Sequence, residues 1–418
     1  MCLTYLLSHL PNRQYQVHAV TIDHKYRENS GLEAARVGDI VSKWGVKHII
    51  KPLEYEQEDV NSISNFEEVA REMRYQVFRD VCKEKGSNLL FTGHNMNDKL
   101  ETFVQRLGQN STLYGLMGIR PVSRFPLAPK VPTDNITVVR PLLEYFKSDI
   151  RDMAVNKHLE WFEDHTNKDI HLTQRNLIRY WMEENLLDMN NVHSLYCQLE
   201  ECNDMIESKV EQLSNYILQF GSLTTNRMLC LVSFQLPKLV FNNPNYITIL
   251  SRYLYQLLEP YSSVKYYHWM YAKLERSVVP RLFSHTSTIT ITALNLKFTL
   301  VPEQEEDTIR LLISRQNMEK HTYQDNQFNI HLRDSEWSNW VFYDRRLWIR
   351  VRLQIPVHLQ LAPYCHKIHG KYLTQKLNVK GKALESLPII VNFNGDIIAI
   401  PGAGLRNEAY DYVDYEIE

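Results

Sequence analysis

Residues 88–102 read Asn88-Leu89-Leu90-Phe91-Thr92-Gly93-His94-Asn95-Met96-Asn97-Asp98-Lys99-Leu100-Glu101-Thr102. A short apolar run ends at a glycine and passes into polar sequence with helical spacing, the pattern of a buried strand followed by a turn and a helix. The segment before it supports this reading. From Phe66 to Lys85, Val69, Met73, Val77 and Val81 recur every four residues, which predicts an amphipathic helix. Further upstream, Val17 to Ile22 is a β-branched run typical of a buried parallel strand. Ser30-Gly31-Leu32-Glu33 has capping-box spacing and predicts a helix from Ser30 to about Trp44. Val46 to Ile50 is the next strand, and residues 1–10 read as the body of a helix broken at Asn12-Arg13. Helix and strand alternate, so the N-terminal third is predicted to be a doubly wound α/β domain with a parallel sheet.

In such sheets ligands bind at the carboxyl ends of the strands. Two polar clusters fall there: Asp23-His24-Lys25-Tyr26-Arg27 and His94 to Thr102. Asp98 and Glu101, three apart, share one face of a first helical turn. The pair suits Mg²⁺ or a substrate ammonium group, although carboxylates favour helix N-termini in any case.

Several segments in order resemble the tRNA(Ile)-lysidine synthetase family of the N-type ATP pyrophosphatase superfamily. They are Asp23-His24-x-x-Arg27 with Ser30, Ala70-Arg71-x-x-Arg74-Tyr75, and Gly93-His94-x-x-x-Asp98-x-x-Glu101-Thr102. Leu116-Met117-Gly118, Arg140-Pro141-Leu142-Leu143, Trp161-x-Glu163-Asp164-x-x-Asn167 and Arg175-Asn176-x-x-Arg179 complete the series, which covers roughly residues 15–182. The C-terminal Leu387-Pro388-Ile389-Ile390, Gly395-Asp396 and Ile400-Pro401-Gly402 are similar to the end of that family's last domain. The resemblance implies an adenine nucleotide alpha-hydrolase-like fold and a ligase. ATP adenylates the C2 oxygen of the wobble cytidine of tRNA(Ile), and the amine of L-lysine then displaces AMP to give lysidine. It implies catalytic roles for His94, Asp98 and Glu101, with Asp98 at Mg²⁺, and places Asp23, His24 and Arg27 at ATP. Arg71, Arg74 and Arg175 are candidate substrate contacts, able to bind phosphates or the lysine carboxylate bidentately.

Two departures stand out. The family's phosphate-binding Ser-Gly-Gly-x-Asp-Ser loop is absent, and the first predicted helix has no strand before it. A missing central strand would leave its neighbours unpaired at about 1–3 kcal/mol per buried backbone group. The reading is therefore of a sequence that starts late, from a longer protein that contains the loop. Where the family has His-His-x-Asp-Asp-Gln-x-Glu-Thr, the second His, first Asp and Gln are Asn95, Asn97 and Lys99. A lost carboxylate and an added ammonium are expected to weaken a divalent-metal site. A catalytically inactive tRNA-binding pseudoenzyme and a related adenylating enzyme acting on another substrate remain as alternatives.

Beyond this domain, Val192, Leu195, Leu199, Cys202, Ile206, Val210, Leu213 and Ile217 predict one long amphipathic helix. It either packs within the chain or makes a coiled-coil homodimer. Residues 220–285 read as helical with a turn at Asn242 to Asn245, Ile289 to Leu300 as strands, and the chain from about 320 as β-rich with Trp337, Trp340, Tyr343 and Trp348 in its core. The expected organisation is a catalytic domain over 1–185, a helical middle over 186–318 and a small β-rich domain over 319–418. From Arg345 to Lys382 nine Lys or Arg residues occur without an Asp or Glu, and Lys367, Lys371, Lys376, Lys380 and Lys382 are the expected tRNA phosphate contacts. Cys365, His366 and His369 lack a fourth ligand for a closed metal site.

The remaining arithmetic narrows the class. Of 418 residues, 47 are Lys or Arg and 49 Asp or Glu, so no global positive charge advertises a nucleic-acid partner. No apolar run approaches a membrane span, and six cysteines do not make a disulfide framework. The N-terminus lacks the features of a secretory signal. The protein is expected not to be secreted: mitochondrial if eukaryotic, otherwise cytoplasmic.

Overall fold

The computed structural model describes residues 1–11, 14–23, 30–53, 66–132, 134–162, 174–284, 287–303, 307–331, 336–353, 358–365, 367–369, 384, 386–401, 405–407 and 413–418. The chain divides into two compact units, Met1–Glu201 and Cys202–Glu418.

The first unit follows the alternation read from the sequence. Helix α1 (Cys2–Ser8), strand β1 (His18–Asp23), helix α2 (Ser30–Ser42) and strand β2 (Lys47–Pro52) come first. β1 and β2 pair in parallel, from His18 opposite Lys47 to Asp23 opposite Pro52. Helix α3 (Phe66–Glu84), strand β3 (Leu89–Phe91), helix α4 (Met96–Gly108), helix α5 (Leu113–Leu116), strand β4 (Val122–Arg124) and strand β5 (Thr137–Val139) follow. β5 is central to a second sheet, parallel to β3 and antiparallel to β4. Helix α6 (Lys147–Asn156) and helix α7 (Gln174–Glu183) complete the segment. Among the described residues no ladder joins β1 to β3, so the unit is α/β with two sheets instead of one. Parallel sheets normally bury both faces, yet Leu89 and Phe91 on β3 are 45% and 37% exposed.

What holds α4 is apolar. Met96, Leu100 and Phe103 pack with Leu116 of α5 and Met117 just after it, with Ile178 and Met182 of α7, and with Tyr196. At about 1.5–3 kcal/mol for each large side chain buried, this contact fixes α4 and α7 side by side. Gly118 ends the α5 turn at φ +52°, and a Cβ there would lie 3.2 Å from Thr102 Cγ2. A left-handed backbone against a close neighbour is a position for glycine.

Helix α8 (Met189–Gln219) spans the division between the units. Its Val210, Leu213 and Ile217 lie in the core of the second unit, so this half of the predicted stripe is buried within the chain. After the exposed strand β6 (Thr224–Asn226), that core also takes in strand β7 (Leu231–Pro237), helix α9 (Lys238–Phe241) and helix α10 (Tyr246–Leu258). After two short 3₁₀ turns come helix α11 (Tyr271–Lys273), a π-helical turn over Leu274–Val278 and helix α12 (Val279–Phe283), then strand β8 (Ile289–Ala293), strand β9 (Leu296–Pro302) and strand β10 (Thr308–Arg315). The five strands form an antiparallel sheet in the order β6-β7-β10-β9-β8. The expectation of helix from residue 220 is corrected at β6 and β7. In β7, Val232, Phe234 and Leu236 are buried and alternate with Ser233 and Gln235, a period of two.

The rest of the unit is β-rich, as predicted. Helix α13 (Lys320–Asp325) leads into strand β11 (Phe328–His331), strand β12 (Val341–Tyr343), strand β13 (Leu347–Leu353), strand β14 (His358–Pro363), strand β15 (Pro388–Asn392), strand β16 (Ile397–Ile400), strand β17 (Leu405–Arg406) and strand β18 (Val413–Ile417). They make sheets ordered β11-β14-β15-β16-β17 and β12-β13-β18. Tyr343 and Trp348 are buried as expected. Trp337 and Trp340 are not: they are half-buried, with Arg350 stacked 4.6 Å from each ring centroid.

Candidate active site

The segment after β3 forms the predicted turn and helix, and its polar residues build a compact ionic centre. Asn95 caps α4: its side chain accepts from the Asp98 backbone N–H at 3.3 Å, and Asp98 Oδ2 accepts from the Asn95 N–H at 3.0 Å. Asp98 Oδ1 then accepts from Arg175 Nη2 at 2.6 Å. Glu101 Oε2 accepts from Arg175 Nε and Glu101 Oε1 from Arg179 Nε, each at 2.8 Å. Carboxylates three apart on α4 thus meet arginines four apart on α7, the spacings that put each pair on one helix face. Glu101 is buried at the base, whereas Arg175 and Arg179 keep 30% and 24% of their side-chain exposure. Both arginines belong to the Arg175-Asn176-x-x-Arg179 motif of the sequence, which gives a substrate role to Arg175 and none to Arg179.

His94 stands at the edge of this centre, with Nδ1 2.9 Å from Thr92 Oγ1. Burial lowers its pKa to about 4; Asp98 opposes the shift, while Arg140, Arg175 and Arg71 reinforce it. The imidazole is therefore neutral at physiological pH and can accept a proton or a hydrogen bond without carrying charge. Arg140 is a residue the sequence reading quoted without a role. Its Nη1 donates to the Arg120 carbonyl at 2.8 Å and to Ser123 Oγ at 3.0 Å, while its buried Nε has no hydrogen-bond partner among the described residues. Arg71 and Arg74 lie over the Tyr75 ring, at 5.0 and 6.0 Å. Arg71, Arg140 and Arg175 make the environment of His94 cationic, which suits an anionic ligand.

The three departures from the family motif all have structural partners. Asn95 is the helix cap. Asn97 Oδ1 accepts from the Lys147 backbone N–H at 2.9 Å, tying α4 to the start of α6. Lys99 does not lie among the carboxylates of the centre. It is buried on the other side of α4, with Nζ 3.1 Å from Glu144 and 3.2 Å from Glu200 and 4.8 Å from the Tyr196 ring centroid. The positive charge expected beside Asp98 is thus neutralised elsewhere.

Mg²⁺ does not fit the acidic pair as it stands. All four carboxylate oxygens already accept from a guanidinium or a backbone N–H, and Mg²⁺ requires near-octahedral oxygen coordination. Among the described residues no cluster of three or more His, Cys, Asp or Glu is placed to hold a metal.

Asp23 ends β1, and its Oδ1 accepts from Ser30 Oγ at 2.6 Å. Ser30 is the first residue of α2, so its hydroxyl ties the helix start to the strand end. His24 and Arg27 lie outside the described residues, as do Glu163, Asp164, Asn167, His366, Lys371, Lys376, Lys380 and Lys382. Lys367 is exposed, and His369 Nδ1 accepts from the Cys365 backbone N–H at 2.8 Å.

Residues 1–186 match the family model of the PP-loop domain. Over 405 residues the chain is 27% identical to the probable tRNA(Ile)-lysidine synthase of Schizosaccharomyces pombe, covering 94% of this chain and 85% of that protein. The chain is thus similar along nearly its whole length to a tRNA(Ile)-lysidine synthase. The enzyme of this name from Lactiplantibacillus plantarum is 30% identical over 194 residues, 46% of this chain and 40% of its own length. That from Rickettsia felis is 30% identical over 164 residues, 39% of this chain and 35% of its own. The chain thus spans well under half of these bacterial relatives and most of the fission-yeast one. Among solved structures, the U34-tRNA thiolase NcsA of Methanococcus maripaludis superposes with a TM-score of 0.35 at 16% identity, over 48% of this chain and 66% of that one. A likeness at that level carries no argument. The PP-loop domain match supports use of ATP, and no helix among the described residues is long and apolar enough to cross a membrane.

Proposed function

We propose that this chain is a ligase that uses ATP to join L-lysine to the wobble cytidine of tRNA(Ile). The similarity to the fission-yeast protein along 94% of the chain carries this reading. In the reaction the C2 oxygen of the base attacks the α-phosphorus of ATP and pyrophosphate leaves. The lysine amine then attacks C2, and the C–O bond breaks to release AMP. Arg71, Arg140 and Arg175 bind the phosphates or the lysine carboxylate. Asp98 and Glu101 hold Arg175 and Arg179 in place for that contact, and neutral His94 accepts a hydrogen bond or proton beside them. Mg²⁺ enters, on this reading, only as the companion of the triphosphate, and no step above depends on it.

The phosphate-binding loop is the part the described residues do not supply. Among the described residues β1 and β3 each present an unpaired edge, and a parallel strand between them would give a single sheet ordered β2-β1-x-β3-β5-β4. A helix N-terminus presents its N–H groups to phosphate through the loop that precedes it. The 418-residue chain should therefore show no saturable binding of micromolar ATP in calorimetry. An N-terminal extension carrying a strand and a Ser-Gly-Gly-x-Asp-Ser loop should restore it. Incubated with ATP, lysine and tRNA(Ile), the extended chain should form lysidine, AMP and pyrophosphate, read by nucleoside mass spectrometry. Absence of product with tRNA affinity retained would instead establish the pseudoenzyme.

A further inference from the structure

Residues 260–302 contain Lys265, Lys273, Arg276, Arg281 and Lys297 against the single carboxylate Glu275, a basic segment separate from 345–382. Within it two aromatic rings are exposed or half-exposed and stacked on each other. Tyr266 and Trp269 lie 4.6 Å apart between centroids at 27°, and the Lys265 ammonium stands 4.8 Å from the Tyr266 centroid. Trp269 is 58% exposed, an unusual state for so large an apolar side chain. The turn that presents it is well anchored. Tyr267 stacks on Tyr255 at 5.0 Å and donates its hydroxyl to the Tyr255 carbonyl at 2.8 Å.

The helical run that follows keeps cations on the exposed side. Trp269, Lys273, Arg276 and Arg281 are all exposed, at spacings of four, three and five. The step of five coincides with the π-helical turn Leu274–Val278. Pro280 lacks the N–H that would bond the Arg276 carbonyl in an α-helix, and π-turns of this kind are frequent at functional sites. An aromatic face bordered by cations fits a base with its phosphates, because every base offers a π-face and every linkage a charge.

We propose that Trp269, stacked on Tyr266, is a platform for an unpaired nucleotide of the tRNA, with Lys265, Lys273 and Arg276 on the flanking phosphates. This rests on the tRNA reading above and assigns it a surface in the second unit. The test is tRNA(Ile) binding by the 418-residue chain, measured by fluorescence anisotropy across a salt series. Trp269→Ala should weaken binding by roughly 5- to 150-fold, Trp269→Phe should retain most of the affinity, and circular dichroism should be unchanged in both. Lys273→Ala with Arg276→Ala should lower the log–log salt slope by about 0.7–0.9 per lost contact. Wild-type affinity in Trp269→Ala, or in Trp269→Leu, would overturn the platform while leaving the tRNA reading intact. So would binding of anionic phosphatidylserine vesicles that depends on Trp269 while tRNA binding does not. No tRNA binding by the wild-type chain, extended or not, would instead bring down the tRNA reading and the platform with it.

Discussion

Each unit holds a cluster of arginines and carboxylates, and the two clusters are built differently. In the first unit Asp98 and Glu101 meet Arg175 and Arg179 at a surface where both guanidinium groups stay a quarter to a third exposed. In the second unit Asp344 lies between Arg315 and Arg346, with side-chain exposures of 1%, 4% and 0%. Asp344 accepts from Arg315 at 2.9 and 3.0 Å and from Arg346 at 2.7 Å. The remaining guanidinium N–H groups reach the carbonyls of Asn295, Gln316, Arg227 and Ser386. The Asp344 N–H donates to Asn326 at 2.6 Å. Asp344 and Arg345 both have positive φ, so the β12–β13 turn holds this carboxylate inward. A sealed cluster with its donors and acceptors spoken for fixes architecture. One whose arginines face solvent can exchange partners, which is what a binding site must do.

The comparison is broken or sharpened first by Asp344→Ala. It would leave two buried guanidinium groups uncompensated, so a loss of about 3–5 kcal/mol is expected in urea unfolding of the second unit. Asp98→Ala should behave in the opposite way. Turnover in the extended chain should fall by about 10²-fold or more. Unfolding should shift by no more than about 2 kcal/mol, and tRNA affinity should hold. Wild-type turnover in that variant would remove the first cluster from the chemistry. If instead both substitutions cost similar stability, the contrast between the clusters fails.

A third test uses pH. His94 has its pKa lowered to about 4 in the folded chain, against about 6.5 unfolded. Between these values the unfolded chain binds more protons, so the neutral histidine's contribution is present above pH 6.5 and is lost as pH falls towards 4. The loss should amount to roughly 1–3 kcal/mol, and His94→Gln should flatten that part of the stability profile. An unchanged profile would mean that His94 is solvated. The smallest effect concerns docking. Neutralising Lys367, Lys371, Lys376, Lys380 and Lys382 singly should each lower the salt slope of tRNA binding by about 0.7–0.9 without affecting turnover at saturating tRNA.

The alternation of the first unit was legible because it depends on local periodicity, and its helices and strands begin within a few residues of the predicted positions. The active-site cluster was half legible. Asp98, Glu101 and Arg175 lie in recognisable motifs, but their union depends on α7 packing on α4, a contact some 75 residues apart in sequence. Lys99 was misread for the same reason, since Glu144 and Glu200 are distant in the chain. β7 was missed although its alternation is local. Its Leu-Val-Ser-Phe-Gln-Leu run has an apolar content that also suits a buried helix, and only the period of two separates the readings.

The edges of β1 and β3 that are open among the described residues have a consequence for handling the molecule. An unpaired strand edge beside exposed Leu89 and Phe91 is a template for addition of another chain. Preparations should therefore self-associate with a steep dependence on concentration, and a chaperone that shields extended apolar segments should raise the soluble yield. Charged replacements at Leu89 and Phe91 should do the same, by making each edge a poor nucleus for aggregates.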